Sequence, residues 1–212
     1  NGFVRMSSEL AREKEMMEIQ KSKVRANDPT KVTLLKVQRE LRQLKKQKKL
    51  TDSLYERLYP SDATAPRMHG SVKAHKPEKN FPMRMIVSTI GTACYNLAGY
   101  LVELIQPVLD KNKTRLKNTT TFVEEAREWH IDPSEVQVSY DVLNLYPSVP
   151  VRQSIQVLLE ILTNDKDLER RSKLTLNDIE RALHLCLSDS YFVWENEIRE
   201  IDDSGPIGLS LM

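Results

Sequence analysis

The chain has 212 residues, of which 40% are hydrophobic and 29% charged, so it can bury a core and wholesale disorder is excluded. Two cysteines are too few for a disulfide scaffold or a cysteine-rich zinc module, and we interpret them as reduced thiols of an intracellular protein. The net charge is +2, but it is +8 over residues 1–50, +4 over 51–118 and −10 over 119–212. A basic front suits a polyanionic partner, whereas an acidic rear can hold divalent cations.

The first 60 residues carry a helical pattern. We expect a charged helix over 7–25 and a second helix that begins at Thr30 or Lys31 and reaches Leu58. Its apolar positions form one stripe, and a basic cluster follows; these are Leu34, Val37, Leu41 and Leu44, then Lys45, Lys46, Lys48 and Lys49. Two interpretations stay open: a solvated helical pair with a coiled-coil-like seam, or an extension that contacts phosphates.

The middle of the chain begins after a break at residues 59–66. Residues 67–90 predict two strands, with turns at Gly70 and at 77–80, and a helix is expected over 95–109. A short helix is expected over 121–129. Residues 85–102 hold no charge, but a strand followed by a helix fits them better than a membrane span. We therefore expect no membrane partner.

The rear of the chain mixes strands and helices. Alternation over 136–143 predicts a strand, 152–163 and 176–187 predict amphipathic helices, and 191–194 with 198–201 predict a second hairpin. Together these elements predict an α+β chain.

Asp141 is the strongest catalytic candidate from the residues themselves. Phosphoryl transfer with two Mg²⁺ ions needs a carboxylate at a rigid strand end, and the carbonyl of Val142 supplies a further oxygen. Tyr146 follows at the turn into a helix, where an aromatic ring can sit under an incoming sugar. Alternatively, Asp141 and Asn144 cap the turn and Tyr146 belongs to the core.

The first hairpin carries Lys73, Lys76 and Arg84. Arginine binds phosphate as a bidentate fork and lysine as a point charge, so these cations suit a triphosphate. The alternative is ordinary surface charge.

Three runs in order resemble a known family. They are His69-Gly-Ser-Val-Lys-Ala-His-Lys-Pro77, Phe81-Pro-Met-Arg-Met-Ile-Val-Ser-Thr-Ile-Gly91 with Tyr95-Asn-Leu-Ala-Gly-Tyr-Leu101, and Ser139-Tyr-Asp-Val-Leu-Asn-Leu-Tyr-Pro-Ser-Val-Pro150. They resemble the fingers and the first catalytic motif of Penelope-like retroelement reverse transcriptases. The resemblance covers residues 67–212, and Val72 and Met85 stand where that family usually has proline.

The resemblance implies a role for each matching residue. Asp141 would be the first metal-binding aspartate and Tyr146 the steric gate that favours deoxynucleotides. Arg84 and Lys73, with Lys76 as a further candidate, would contact the triphosphate. Gly205 and Gly208 would begin the helix beside the nascent base pair. The aromatic-x-Asp-Asp motif is missing, and we interpret Asp202 and Asp203 as a hairpin-end or helix-cap pair.

These inferences predict right-hand polymerase fingers and a partial palm preceded by a helical extension, divided as 1–60, 61–135 and 136–212. The resemblance implies an RNA-directed DNA polymerase, cut within its palm, with two Mg²⁺ ions. Its partners would be an RNA template, a DNA primer and deoxynucleoside triphosphates, and its location the nucleus. The alternatives are a non-catalytic nucleic-acid-binding protein from a decayed or co-opted element, and a helical interaction module.

Overall fold

The computed structural model describes residues 6–20, 22–111, 115–116, 118–142, 145–188, 190–200 and 210–211. The described chain is α+β, as the sequence predicts. Its helices are α1 (Ser8–Ile19), α2 (Thr30–Lys46), α3 (Asp52–Leu58), α4 (Tyr95–Leu109), α5 (Thr119–Ala126), α6 (Leu145–Ser148), α7 (Val151–Thr163), α8 (Leu168–Arg171) and α9 (Leu176–Leu187). Its strands are β1 (Lys23–Val24), β2 (Arg67–Val72), β3 (Met83–Ser88), β4 (Tyr191–Trp194) and β5 (Glu197–Glu200).

The five strands form one mixed sheet in the order β1-β5-β4-β2-β3. Two antiparallel hairpins, β2–β3 and β4–β5, meet where β2 runs parallel to β4 at the pair Arg67 and Val193. The parallel junction is short. It consists of that single pair and of one hydrogen bond beside it, in which the backbone N–H of Val193 donates to Pro66 O at 2.7 Å. The sheet therefore joins chain segments that are more than 100 residues apart in sequence.

The larger core is helical. Val37, Leu41 and Leu44 of α2 are fully buried, which confirms the stripe expected there, while Leu34 lies half-buried at its edge. This stripe joins the buried faces of α4, α7 and α9 in one cluster. Burying the apolar stripes of these helices together supplies most of their stability, because isolated helices of this length are marginal in water.

A second, smaller core lies between α1 and the sheet. Ile19 packs with Val87, Phe192 and Trp194. Glu15 of α1 accepts hydrogen bonds from the Trp194 indole N–H at 3.1 Å and, at 2.8 Å, from the backbone N–H of Gly70. One carboxylate thus connects α1 to both hairpins.

Several predicted bounds are wrong at the front of the chain. The helix expected over 7–25 ends at Ile19, and residues 23–24 pair with β5 instead. Gly70 lies inside β2, where it pairs with Met85 and makes no turn. Glycine fits this position because a side chain there would collide with Glu15 and Met83. The helix expected to reach Leu58 is divided into α2 and α3, with the Thr51 side chain capping α3.

The strand expected over 136–143 is also absent from the described residues. Residues 135–142 form neither helix nor strand, and Val136 and Tyr140 are 84% and 90% exposed. Alternation alone does not make a strand, because a strand needs a neighbour for its backbone hydrogen bonds. All five described strands pair elsewhere.

Later elements agree more closely with the sequence. α4 and α9 begin and end where their patterns predict, and both hairpins form, although Ile201 lies outside the described residues. α9 begins with a capping box between Thr175 and Asp178. No helix in the described part of the chain is long and apolar enough to cross a membrane.

Candidate functional site

The β2–β3 hairpin presents two different faces. The pairs that face α1 combine Met68 with Val87 and Val72 with Met83, and their side chains are buried or half-buried. Because side chains alternate along a strand, the intervening residues face the other way. Those residues on β2, namely Arg67, His69 and Ser71, are all exposed.

Arg84 lies directly opposite Ser71 on β3 and is likewise exposed. Lys73 follows β2 by one residue, and its backbone N–H donates to Pro82 O at 2.9 Å, which extends the pairing past the strand. Lys73 and Arg84 are therefore diagonal neighbours, which lie about 7–8 Å apart across antiparallel strands. We name Arg67, His69, Ser71, Lys73 and Arg84 the cation face.

The loop at the tip of the hairpin has a defined shape. A 3-10 turn over Pro77–Lys79 ends at Asn80, whose φ of 54° is left-handed, and Phe81 follows with a φ of 49°. Lys14 of α1 donates to the carbonyl oxygens of Asn80 and Phe81. The loop is thus held against α1, and the backbone N–H of half-buried Lys76 donates to Lys73 O at 3.0 Å.

The cations of this hairpin differ from those of the helical core in having no anionic partner in the part of the chain that the structure describes. Among the described residues, Arg67, Lys73, Lys76 and Arg84 make no ion pair. The register places Glu200 on the same side of the sheet, but two strands away from β2, where it pairs across to β1. Concentrated positive charge with no internal counter-charge can bind an anionic ligand.

The composition of the acidic rear of the chain suggests a site for divalent cations, but its buried carboxylates pair with cations of the protein itself. Asp178 is buried, and it accepts hydrogen bonds from Lys49 at 2.5 Å and from Arg181 at 2.7 Å. Burial alone would raise the pKa of Asp178, but the bonds from Lys49 and Thr175 outweigh it and hold the pKa at about 2. Asp178 is therefore a structural anion.

Asp165 is a second structural anion. Its side chain is 3% exposed, and it pairs with Arg171 and with Lys111 at 3.2 Å. The hydrogen bond from Arg171 holds the pKa of Asp165 below its usual range, against the opposing effect of burial. Both buried carboxylates thus stabilise the helical core.

The structure does not gather the predicted metal ligands. Asp141 and Val142 are exposed in the segment 135–142, and Asp141 makes no hydrogen bond or ion pair to a described residue. No group of three or more His, Cys, Asp or Glu side chains suited to a metal occurs among the described residues. One exposed carboxylate and one carbonyl do not fit a site for two Mg²⁺ ions, which takes several oxygen ligands per ion.

The remaining predicted residues have separate positions. Tyr146 lies in α6, at the turn into α7 as expected. Gly205, Gly208, Asp202 and Asp203 lie outside the described residues. Of the predicted site, the structure therefore brings together Lys73, Arg84 and the adjacent Lys76.

Three residues of the cation face, Arg67, His69 and Ser71, were missed from the sequence. Arg67 and His69 lie at alternate positions before Ser71 and Lys73, so the period of two was visible in the sequence. The turn expected at Gly70 was incompatible with this period of two, because a turn would have ended the alternation. Comparison with protein-family models, with curated proteins and with solved structures finds no match for this chain.

Proposed function

We propose that this chain belongs to an RNA-directed DNA polymerase similar to those of Penelope-like retroelements, with the β2–β3 hairpin as part of its fingers. The observation that carries the proposal is the cation face, on which Lys73 and Arg84 are diagonal neighbours without an anionic partner among the described residues. The order of the three sequence runs supports the same activity, and a nuclear location belongs to this proposal.

In this proposal the cation face binds the triphosphate of the incoming deoxynucleotide. The Arg84 guanidinium donates two parallel hydrogen bonds to phosphate oxygens, and the Lys73 ammonium neutralises a neighbouring phosphate. The Cα atoms of such diagonal neighbours lie about 7–8 Å apart, a separation that lets two long side chains converge on one polyphosphate. Lys76 adds positive charge at the edge of the same site.

Asp141 remains the proposed catalytic carboxylate, with the Val142 carbonyl beside it and Tyr146 as the sugar gate. The RNA template and DNA primer are the proposed polymer partners, and two Mg²⁺ ions are the proposed cofactors. Because the described residues do not assemble a site for those ions, we assign no catalytic step through them.

A non-catalytic nucleic-acid-binding protein is the second candidate. The same cation face favours it, since unpaired cations bind a phosphate backbone as readily as a triphosphate. The two candidates differ in chemistry: a polymerase discriminates nucleotides and extends a primer, whereas a binding protein shows only salt-dependent affinity.

The experiment is RNA-templated primer extension by the protein in its native reading frame, with the KM for deoxynucleoside triphosphate as the readout. K73Q/R84Q should raise this KM at least tenfold, because two charge-assisted contacts are lost. The matched control is K79Q/K166Q, which removes two exposed cations from outside the cation face.

An unchanged KM in K73Q/R84Q would refute the triphosphate role of the cation face. An absence of extension by the native protein, together with salt-dependent RNA binding, would replace the polymerase with the second candidate.

A further inference from the structure

The outer face of α2 is a second positively charged surface, separate from the cation face. At about 100° per residue, the positions that point away from the helical core span a sector about 100° wide. These positions are Val32, Leu35, Lys36, Arg39, Gln43 and Lys46, and all of them are exposed. They lie opposite the buried stripe that contains Leu41.

α2 carries six cations and a single acidic residue, Glu40. Glu40 faces α9, where it accepts a hydrogen bond from Arg181 at 3.0 Å. No acidic residue of α2 therefore lies on the outer face. Lys36, Arg39 and Lys46 make no ion pair with any described residue.

Two other cations near α2 are engaged within the protein. Lys45 pairs with Asp52 at 3.3 Å and lies 4.3 Å from the centre of the Tyr55 ring. Lys49 pairs with buried Asp178. The predicted basic cluster thus divides: Lys45 and Lys49 pair with carboxylates of the protein, Lys48 lies past the end of α2, and Lys46 continues the outer row begun by Lys36 and Arg39.

The geometry of this row matches a phosphate backbone. Ten residues separate Lys36 from Lys46, which is about 15 Å along the helix axis. A duplex presents about one phosphate per 1.7 Å of its axis, so a row of this length faces several phosphates. Val32 and Leu35 are the two apolar side chains of the outer face, too few for burial in a bilayer, which takes a whole apolar helix face.

We propose that the outer face of α2 binds the sugar–phosphate backbone of a nucleic-acid duplex through Lys36, Arg39 and Lys46. This inference rests on the proposed function, since it assigns the template–primer duplex of that reaction to α2. It adds a binding surface on the N-terminal extension, where the three runs of sequence that carry the resemblance do not reach.

The test compares the full chain with K36Q/R39Q/K46Q by fluorescence anisotropy on a labelled RNA–DNA duplex at several salt concentrations. The variant should bind at least tenfold more weakly, and the slope of log K against log salt should fall by about 2–3 because three phosphate contacts are lost. The matched control is R152Q/K166Q/K173Q, which removes the same charge from exposed positions elsewhere and should stay within about twofold at physiological salt. Far-UV circular dichroism confirms that both variants are folded.

The inference is overturned if the α2 variant binds the duplex like the control, or if the unaltered chain does not bind it at all. It is also overturned if binding to vesicles of anionic lipid depends on these three residues and binding to the duplex does not. Failure of the proposed function is distinguishable, because it appears as missing extension or as an unchanged KM in K73Q/R84Q while duplex binding through α2 persists.

Discussion

At the scale of single residues, Asp178 connects α9 to the segment that follows α2. Its carboxylate receives Lys49, Arg181 and the Thr175 backbone N–H, the last at 2.8 Å. D178N should lower the free energy of unfolding by about 3 kcal/mol, because it leaves buried donors without their anion. Urea unfolding followed by circular dichroism measures the loss. The control is D52N, whose exposed pair with Lys45 is worth under about 1 kcal/mol.

The pH dependence of stability follows from the same residue. The pKa of Asp178 is about 2 in the folded chain, below the value of about 3.9 in an unfolded one. Its contribution of about 2 kcal/mol is therefore complete above pH 4 and is lost as the pH falls towards 2. D178N should flatten the stability profile in that window, and a profile parallel to that of the unaltered chain would contradict the assignment.

A substitution at Gly70 tests the contact between α1 and the sheet. A Cβ at this position would lie 2.6 Å from Glu15 Oε1 and would also meet the end of Met83. G70A should destabilise the chain by about 1–2 kcal/mol in urea unfolding. G99A is the matched control: nothing lies within 4 Å of its Cβ in α4, so it should stabilise by up to about 1 kcal/mol. Equal effects of the two substitutions would contradict the packing.

At the scale of elements, the sequence predicted one long helix because no glycine marks the end of α2. Lys48 is left-handed with a φ of 58°, and Lys49 N–H donates to Leu44 O at 3.0 Å, a Schellman motif built without glycine. K48G should raise stability by about 1 kcal/mol in the same unfolding assay, since glycine adopts this conformation without strain. A loss of stability would show that the helix continues.

The elements that the sequence predicted well are those whose backbone hydrogen-bond partners are close in sequence. α4 and α9 have long apolar stripes, and Tyr191–Trp194 pairs with the strand immediately after it. Residues 135–142 have an equally clear alternation but no paired strand among the described residues, so the pattern alone was insufficient. In the site, the diagonal position of Lys73 relative to Arg84 follows from the pairing register of β2 with β3. The sequence does not provide that register.

At the scale of the whole molecule, the uneven charge has a structural meaning. The basic front and the acidic rear meet at the ion pair of Lys49 with Asp178, which joins the segment after α2 to α9. Part of the remaining positive charge lies on the cation face and on the outer face of α2. Two basic surfaces whose cations have no anionic partner among the described residues suit the proposed binding of both a nucleotide and a polymer.

The proposed polymerase activity depends on Asp141. The most direct measurement is RNA-templated extension of a DNA primer with Mg²⁺ by the protein in its native reading frame, compared with D141A. We expect extension by the unaltered protein and its loss in D141A, with the affinity for template unchanged within about twofold, because Asp141 is exposed and bonds to no described residue. Extension that survives in D141A would contradict the catalytic role of Asp141.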